Sequence, residues 1–82
     1  MNTASPLSKL GRRVRALRTA AGLTREDLAA RAGLTAAALA AVEAGADEID
    51  YLALRRIAGE LGRPVADLLA AMDEEDTEGD QG

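Results

Sequence analysis

Apolar residues in this chain recur every three or four positions and fall into five blocks, each closed by glycine or by a turn to polar residues. Leu7, Leu10, Val14, Leu17 and Ala21 form the first block, opened by a Ser5 N-cap with Pro6 at the first helical position and stopped at Gly22. Thr24 with Asp27 three residues on has the spacing of a capping box, with aspartate in place of glutamate. Leu28, Ala29 and Ala32 then give a second helix its inward face before Gly33. Thr35 is placed to cap a third helix with Leu39 and Val42 inward and Gly45 as a left-handed C-cap. Asp50 caps a fourth, carrying Leu54, Ile57, Ala58 and Leu61 and ended by Gly62, and Pro64 opens a fifth with Asp67 in its first turn and Val65, Leu68 and Leu69 inward. No segment alternates with period two over a strand length. The pattern predicts an all-α, five-helix domain over residues 1–72, followed by a disordered acidic C-terminal tail over 73–82.

With 82 residues there is room for one small core. Cysteine and histidine are both absent, which excludes disulfides, a Cys/His zinc site and histidine acid-base chemistry; no metal and no cofactor are expected. Asp47, Glu48 and Asp50 lie close in sequence, but they read as loop and cap residues, and the chain is expected not to be an enzyme. Tyr51 is the one aromatic residue, so the core consists of Leu, Val, Ile and Ala, and modest stability or help from a dimer interface is expected. No apolar run approaches the roughly 18 residues of a membrane span, and Met1–Leu10 lacks a signal-peptide pattern. The expected location is cytoplasmic, with no membrane contact.

The net charge of −4 conceals a strong asymmetry. Up to Arg31 the cations Lys9, Arg12, Arg13, Arg15, Arg18, Arg25 and Arg31 outnumber the anions Glu26 and Asp27. From Ala32 to Asp50 every charge is negative, at Glu43, Asp47, Glu48 and Asp50, and the C-terminal run Asp73, Glu74, Glu75, Asp76, Glu78 and Asp80 has no cation. Residues 24–45 themselves read as two short helices around a glycine-containing turn, the arrangement that carries a helix into the DNA major groove.

Leu10-Gly11, Arg18, Ala21-Gly22-Leu23-Thr24, Leu28-Ala29, Ala32-Gly33-Leu34-Thr35, Leu39, Val42-Glu43 and Gly45 stand at a joint spacing that resembles the phage-repressor/Cro-like (XRE-type) helix-turn-helix family. Leu54, Ile57-Ala58, Leu61-Gly62 and Leu68-Leu69 extend that likeness over roughly residues 7–70. The resemblance implies a lambda-repressor-like DNA-binding domain, a transcriptional regulator that places helices two and three on double-stranded DNA as a homodimer. It also implies a structural ion pair between Arg18 and Glu43, and DNA contact at Arg25, Ala36, Ala37 and Ala41. The hydroxyls of Thr24 and Thr35, with neighbouring backbone amides, are added as phosphate contacts.

Only Arg25 among the four positions implied by the family brings a strong donor. Methyl groups at Ala36, Ala37 and Ala41 cannot form bidentate hydrogen bonds to a base. Three readings stay open: the methyls pack on thymine methyls while DNA shape is read, the readout has decayed or been substituted away on a good helix former, or the small residues admit a protein partner at helix three. The last makes the chain a degenerate helix-turn-helix interaction module with little or no sequence-specific DNA binding. The arginines of helix one are read as a solvated face and the acidic tail as a solubilising terminus.

Overall fold

The computed structural model describes residues 5–46 and 49–74. Five α-helices follow one another: α1 (Pro6–Ala20), α2 (Arg25–Ala32), α3 (Ala36–Ala44), α4 (Tyr51–Glu60) and α5 (Val65–Ala70), the last running into a 3-10 turn at Ala71–Asp73. The described residues contain no strand, and the architecture is the all-α, five-helix one expected.

The helix starts follow local chemistry. Ser5, Thr24, Thr35 and Asp50 each accept a hydrogen bond from the backbone N–H three residues on, satisfying a donor that the first helical turn leaves without a partner. At α2 the box is closed, because the Asp27 carboxylate accepts in return from the Thr24 N–H at 3.2 Å. α2 stops where Gly33 takes φ 75°, a left-handed conformation that lets the Leu34 N–H return to the Ala29 carbonyl at 2.8 Å.

Leu10, Val14, Leu28, Leu39, Leu54, Ile57 and Leu68 are fully buried and meet in one core, with Ala29, Ala32 and Ala58 filling the close crossings. α1 lies against α3, α5 and the 3-10 turn, while α2 packs on α3 and α4. Small residues set the spacing of α1 and α3. A Cβ at Gly11 would lie 2.4 Å from the Val42 carbonyl oxygen and 2.5 Å from that of Glu43. One at Gly45, where φ is +70°, would lie 2.7 Å from the Ser8 Cα.

Several sequence expectations need correction. Ala21 is exposed and caps α1 instead of packing inward. Pro64 sits at the N-cap of α5, extended at ψ 149°, and the helix begins one residue later. Val42, Leu61, Val65 and Leu69 only flank the core, whereas Ala53 and Ala71 enter it. Asp73 and Glu74, assigned to the tail, are placed against the domain: the Lys9 ammonium donates to the Glu74 carbonyl, and Arg13 pairs with the Glu74 carboxylate at 3.3 Å. The expectation of disorder for 75–82 and the acidic residues Asp47 and Glu48 fall outside the described residues.

Two glycine-to-alanine changes should move stability in opposite directions. Gly11→Ala is expected to destabilise by about 1–3 kcal/mol, overpacking outweighing the gain in helix propensity. Gly59→Ala, in a helix with nothing within 4 Å of the new methyl, should stabilise by about 0.5–1 kcal/mol. Urea denaturation of both variants measures the two signs.

Candidate nucleic-acid interface

Thr24 and Thr35 fix where α2 and α3 begin, and Gly33 sets the angle between them, so the two N-termini and the intervening turn form one unit. Both threonine oxygens already accept from their own helices, at 3.0 Å from the Asp27 and Ala38 amides. The Thr35 hydroxyl proton remains able to donate, while the Thr24 hydroxyl is shared with the Asp27 carboxylate. The two N-termini differ in charge: α2 carries Glu26 and Asp27 in its first turn, whereas α3 has no acid there. The positive end of the α2 dipole is therefore partly neutralised by its own side chains.

Asp27 bears the mark of that role. Hydrogen bonds from the Thr24 backbone and then its hydroxyl hold the carboxyl below its ordinary value of 3.8. A lowered folded value means that the stabilisation is complete above the ordinary value and disappears as pH falls through the lowered one.

On α3 the exposed positions are Ala37, Ala38 and Ala44, and the buried ones Leu39 and Glu43. Of the alanines mapped to DNA contact, Ala37 is exposed while Ala36 and Ala41 are half-buried. Ala41 instead lines an apolar groove with Leu34, Ala38, Val42, Ile49 and Ala53, with Asp50 at its rim. That groove was not foreseen, because it forms only where α3 meets the start of α4.

Behind this face lies a three-residue charge cluster. Glu43, with 3% of its side chain exposed, receives two hydrogen bonds from Arg18, Nε to Oε2 at 2.7 Å and Nη2 to Oε1 at 3.2 Å. Arg18 Nη1 also donates to the Leu23 carbonyl at 3.0 Å, tying the α1–α2 turn to the same guanidinium. The hydrogen bond to Glu43 raises the Arg18 pKa above its already high ordinary value. Arg18 and Glu43 thus make the contact expected between helices one and three.

Arg25 adds to that expectation. Placed at the first position of α2 by the Thr24 cap, it donates from Nε to Glu43 Oε1 at 3.3 Å with its side chain 40% exposed. Sequence reasoning treated it only as a group aimed at DNA. The signal was present, since Glu43 is the sole acid in α3 and two arginines flank the α1–α2 turn, but periodicity carries no information on which cation an acid in another helix will meet. Among the described residues no group of histidine, cysteine or carboxylates could hold a metal ion, and no helix is long and apolar enough to cross a membrane.

A family model described as helix-turn-helix matches residues 14–68. The chain is similar to two solved structures of the clp gene regulator ClgR from Corynebacterium glutamicum. Both give 26% identity and a TM-score of 0.80 over 88% of this chain, covering 77% of one ClgR chain and 92% of the other. It is also similar to the restriction-modification controller protein C.AhdI from Aeromonas hydrophila, with 35% identity and a TM-score of 0.74 over 76% of this chain and 94% of that one. No match is found among curated protein sequences.

Removing Arg18 leaves the buried Glu43 carboxylate with the single contact from half-exposed Arg25. Arg18→Met is expected to cost about 3–5 kcal/mol in chemical denaturation at pH 7. For Asp27→Asn, the stability deficit at neutral pH should begin to shrink as pH falls below 3.8 and vanish only once pH has passed through the lowered folded value, where the native carboxylate becomes protonated; a deficit independent of pH contradicts the capping-box origin.

Proposed function

This chain belongs to the helix-turn-helix family as a transcription regulator of the XRE type, not an enzyme, and we propose that it docks α2 and α3 on double-stranded DNA as a homodimer. The observation that carries the docking is Arg25, a half-exposed guanidinium held at the start of α2 by its contact with Glu43. In this reading Arg25, the Thr24 and Thr35 hydroxyls and the first backbone amides of α3 grip phosphates, while Ala36, Ala37 and Ala41 present methyls toward the groove. Phosphate contacts position a protein without reading sequence, and each absent bidentate pair forgoes about 1–3 kcal/mol of base discrimination. Sequence preference then rests on thymine methyls and duplex shape.

Support for the homodimer lies at α4, where Tyr51 and Leu52 are 57% and 49% exposed, a surface suited to a second copy. The groove beside Ala38 and Ala41 favours a second reading, in which α3 receives an apolar side chain of a protein partner.

Binding to random duplexes across a salt series separates the two. On the DNA reading, log K falls linearly with log salt by about 0.9 per phosphate neutralised, and Arg25→Ala lowers that slope by about 1. Absence of binding at low salt would leave the protein-partner reading, and an unchanged slope in Arg25→Ala would refute the placement of α2.

A further inference from the structure

Arg25 touches Glu43 through Nε alone, and arginine has five N–H donors in a planar fork. The contact therefore leaves the Nη pair, the bidentate edge, without a hydrogen-bond partner among the described residues. Glu43 is already matched by two hydrogen bonds from Arg18, so the three side chains together carry one net positive charge. The carboxylate can hold Arg25 without cancelling its charge toward an approaching anion. Glu43 in turn is fixed by burial and by α3, which makes it a rigid point from which to aim a long, flexible side chain.

We propose that Glu43 is a positioning residue for DNA contact, holding the Arg25 guanidinium by Nε so that its Nη pair meets a backbone phosphate in an orientation set before the encounter. The proposal rests on the docking argued above. Its physical basis is that ordering a mobile arginine subtracts from affinity, and a side chain ordered during folding has already lost that freedom. The same carboxylate then serves two ends, locking α1 to α3 through Arg18 and aiming α2's first side chain.

A double-mutant cycle on the full chain, titrated with a short random-sequence duplex at low salt, tests this. Glu43→Gln should weaken binding by at least about threefold in the native background and cause no further loss when Arg25 is alanine. Equal losses in both backgrounds would mean that Glu43 acts through the fold, and tighter binding by Glu43→Gln would mean that the carboxylate competes with phosphate; either overturns the proposal. Arg25→Lys leaves Glu43 and its Arg18 partner intact, which covers the case in which Glu43→Gln fails to fold. Its single ammonium cannot engage Glu43 and still offer a fork, so it should bind nearly as weakly as Arg25→Ala, and native affinity would count against us. A readout without DNA separates this inference from the docking. The Arg25 Nε–H resonance should be ordered on the nanosecond scale by NMR relaxation and loosen in Glu43→Gln, and equal mobility in both overturns the hold. An ordered Nε–H in a native chain with no affinity for DNA would instead fail the docking itself, and the positioning role with it.

Discussion

A carboxylate that is 3% exposed must be neutralised where it stands, and the position of Glu43 governs how three of the five helices meet. Its partner comes from the last turn of α1, so α1 must lie close along α3. That closeness needs Gly11 opposite the Val42 and Glu43 carbonyls and Gly45 against Ser8. Glu43 also stands near the negative end of the α3 dipole, in a last turn with no basic residue of its own. Arg18 supplies the missing positive charge from another helix. By binding the Leu23 carbonyl as well, it fixes the turn that delivers Thr24, and with it the starting point of α2.

What could be read from sequence and what could not divide along the range of the interaction concerned. The caps at Ser5, Thr24, Thr35 and Asp50 and the stops at Gly33 and Gly45 were legible because each depends on atoms within a few residues of chain. Leu28, Ala29 and Ala32 were equally legible, since periodicity picks out a helix face when that face has a neighbour along its whole length. Ala21 misled for the complementary reason: it continues the periodic stripe of α1 beyond the point where anything packs on it. Gly11 looked like a mere element of spacing, and its function as a contact surface appeared only once α3 was in place. The link from Arg25 to Glu43 spans 18 residues and the turn between two helices, a pairing that local pattern does not encode.

A net charge of −4 does not by itself oppose the docking proposed for this chain. Long-range attraction from such a molecule is weak, and screening over roughly 8 Å at physiological salt weakens it further. Short-range contacts are a separate matter. Within one Debye length, a guanidinium and a set of backbone amides count for more than acids elsewhere in the chain. The acids of α2 illustrate the compromise, since Glu26 and Asp27 stabilise the helix start that the site needs while reducing its attraction for phosphate.

α3 shows why a scaffold of this kind can persist while its reading surface changes. Its fully buried contacts are Leu39 and Glu43, and its ends are set by Thr35 and Gly45. None of these four faces a base in the proposed docking. The remaining positions are alanine apart from Val42, and alanine is the residue that a helix tolerates best when nothing is demanded of its side chain. In the proposed docking, stability and recognition are consequently carried by different residues of the same nine-residue helix. The exception is Glu43, where the anchor of the fold and the orientation of Arg25 meet in one carboxylate, so that a change there cannot alter one without disturbing the other.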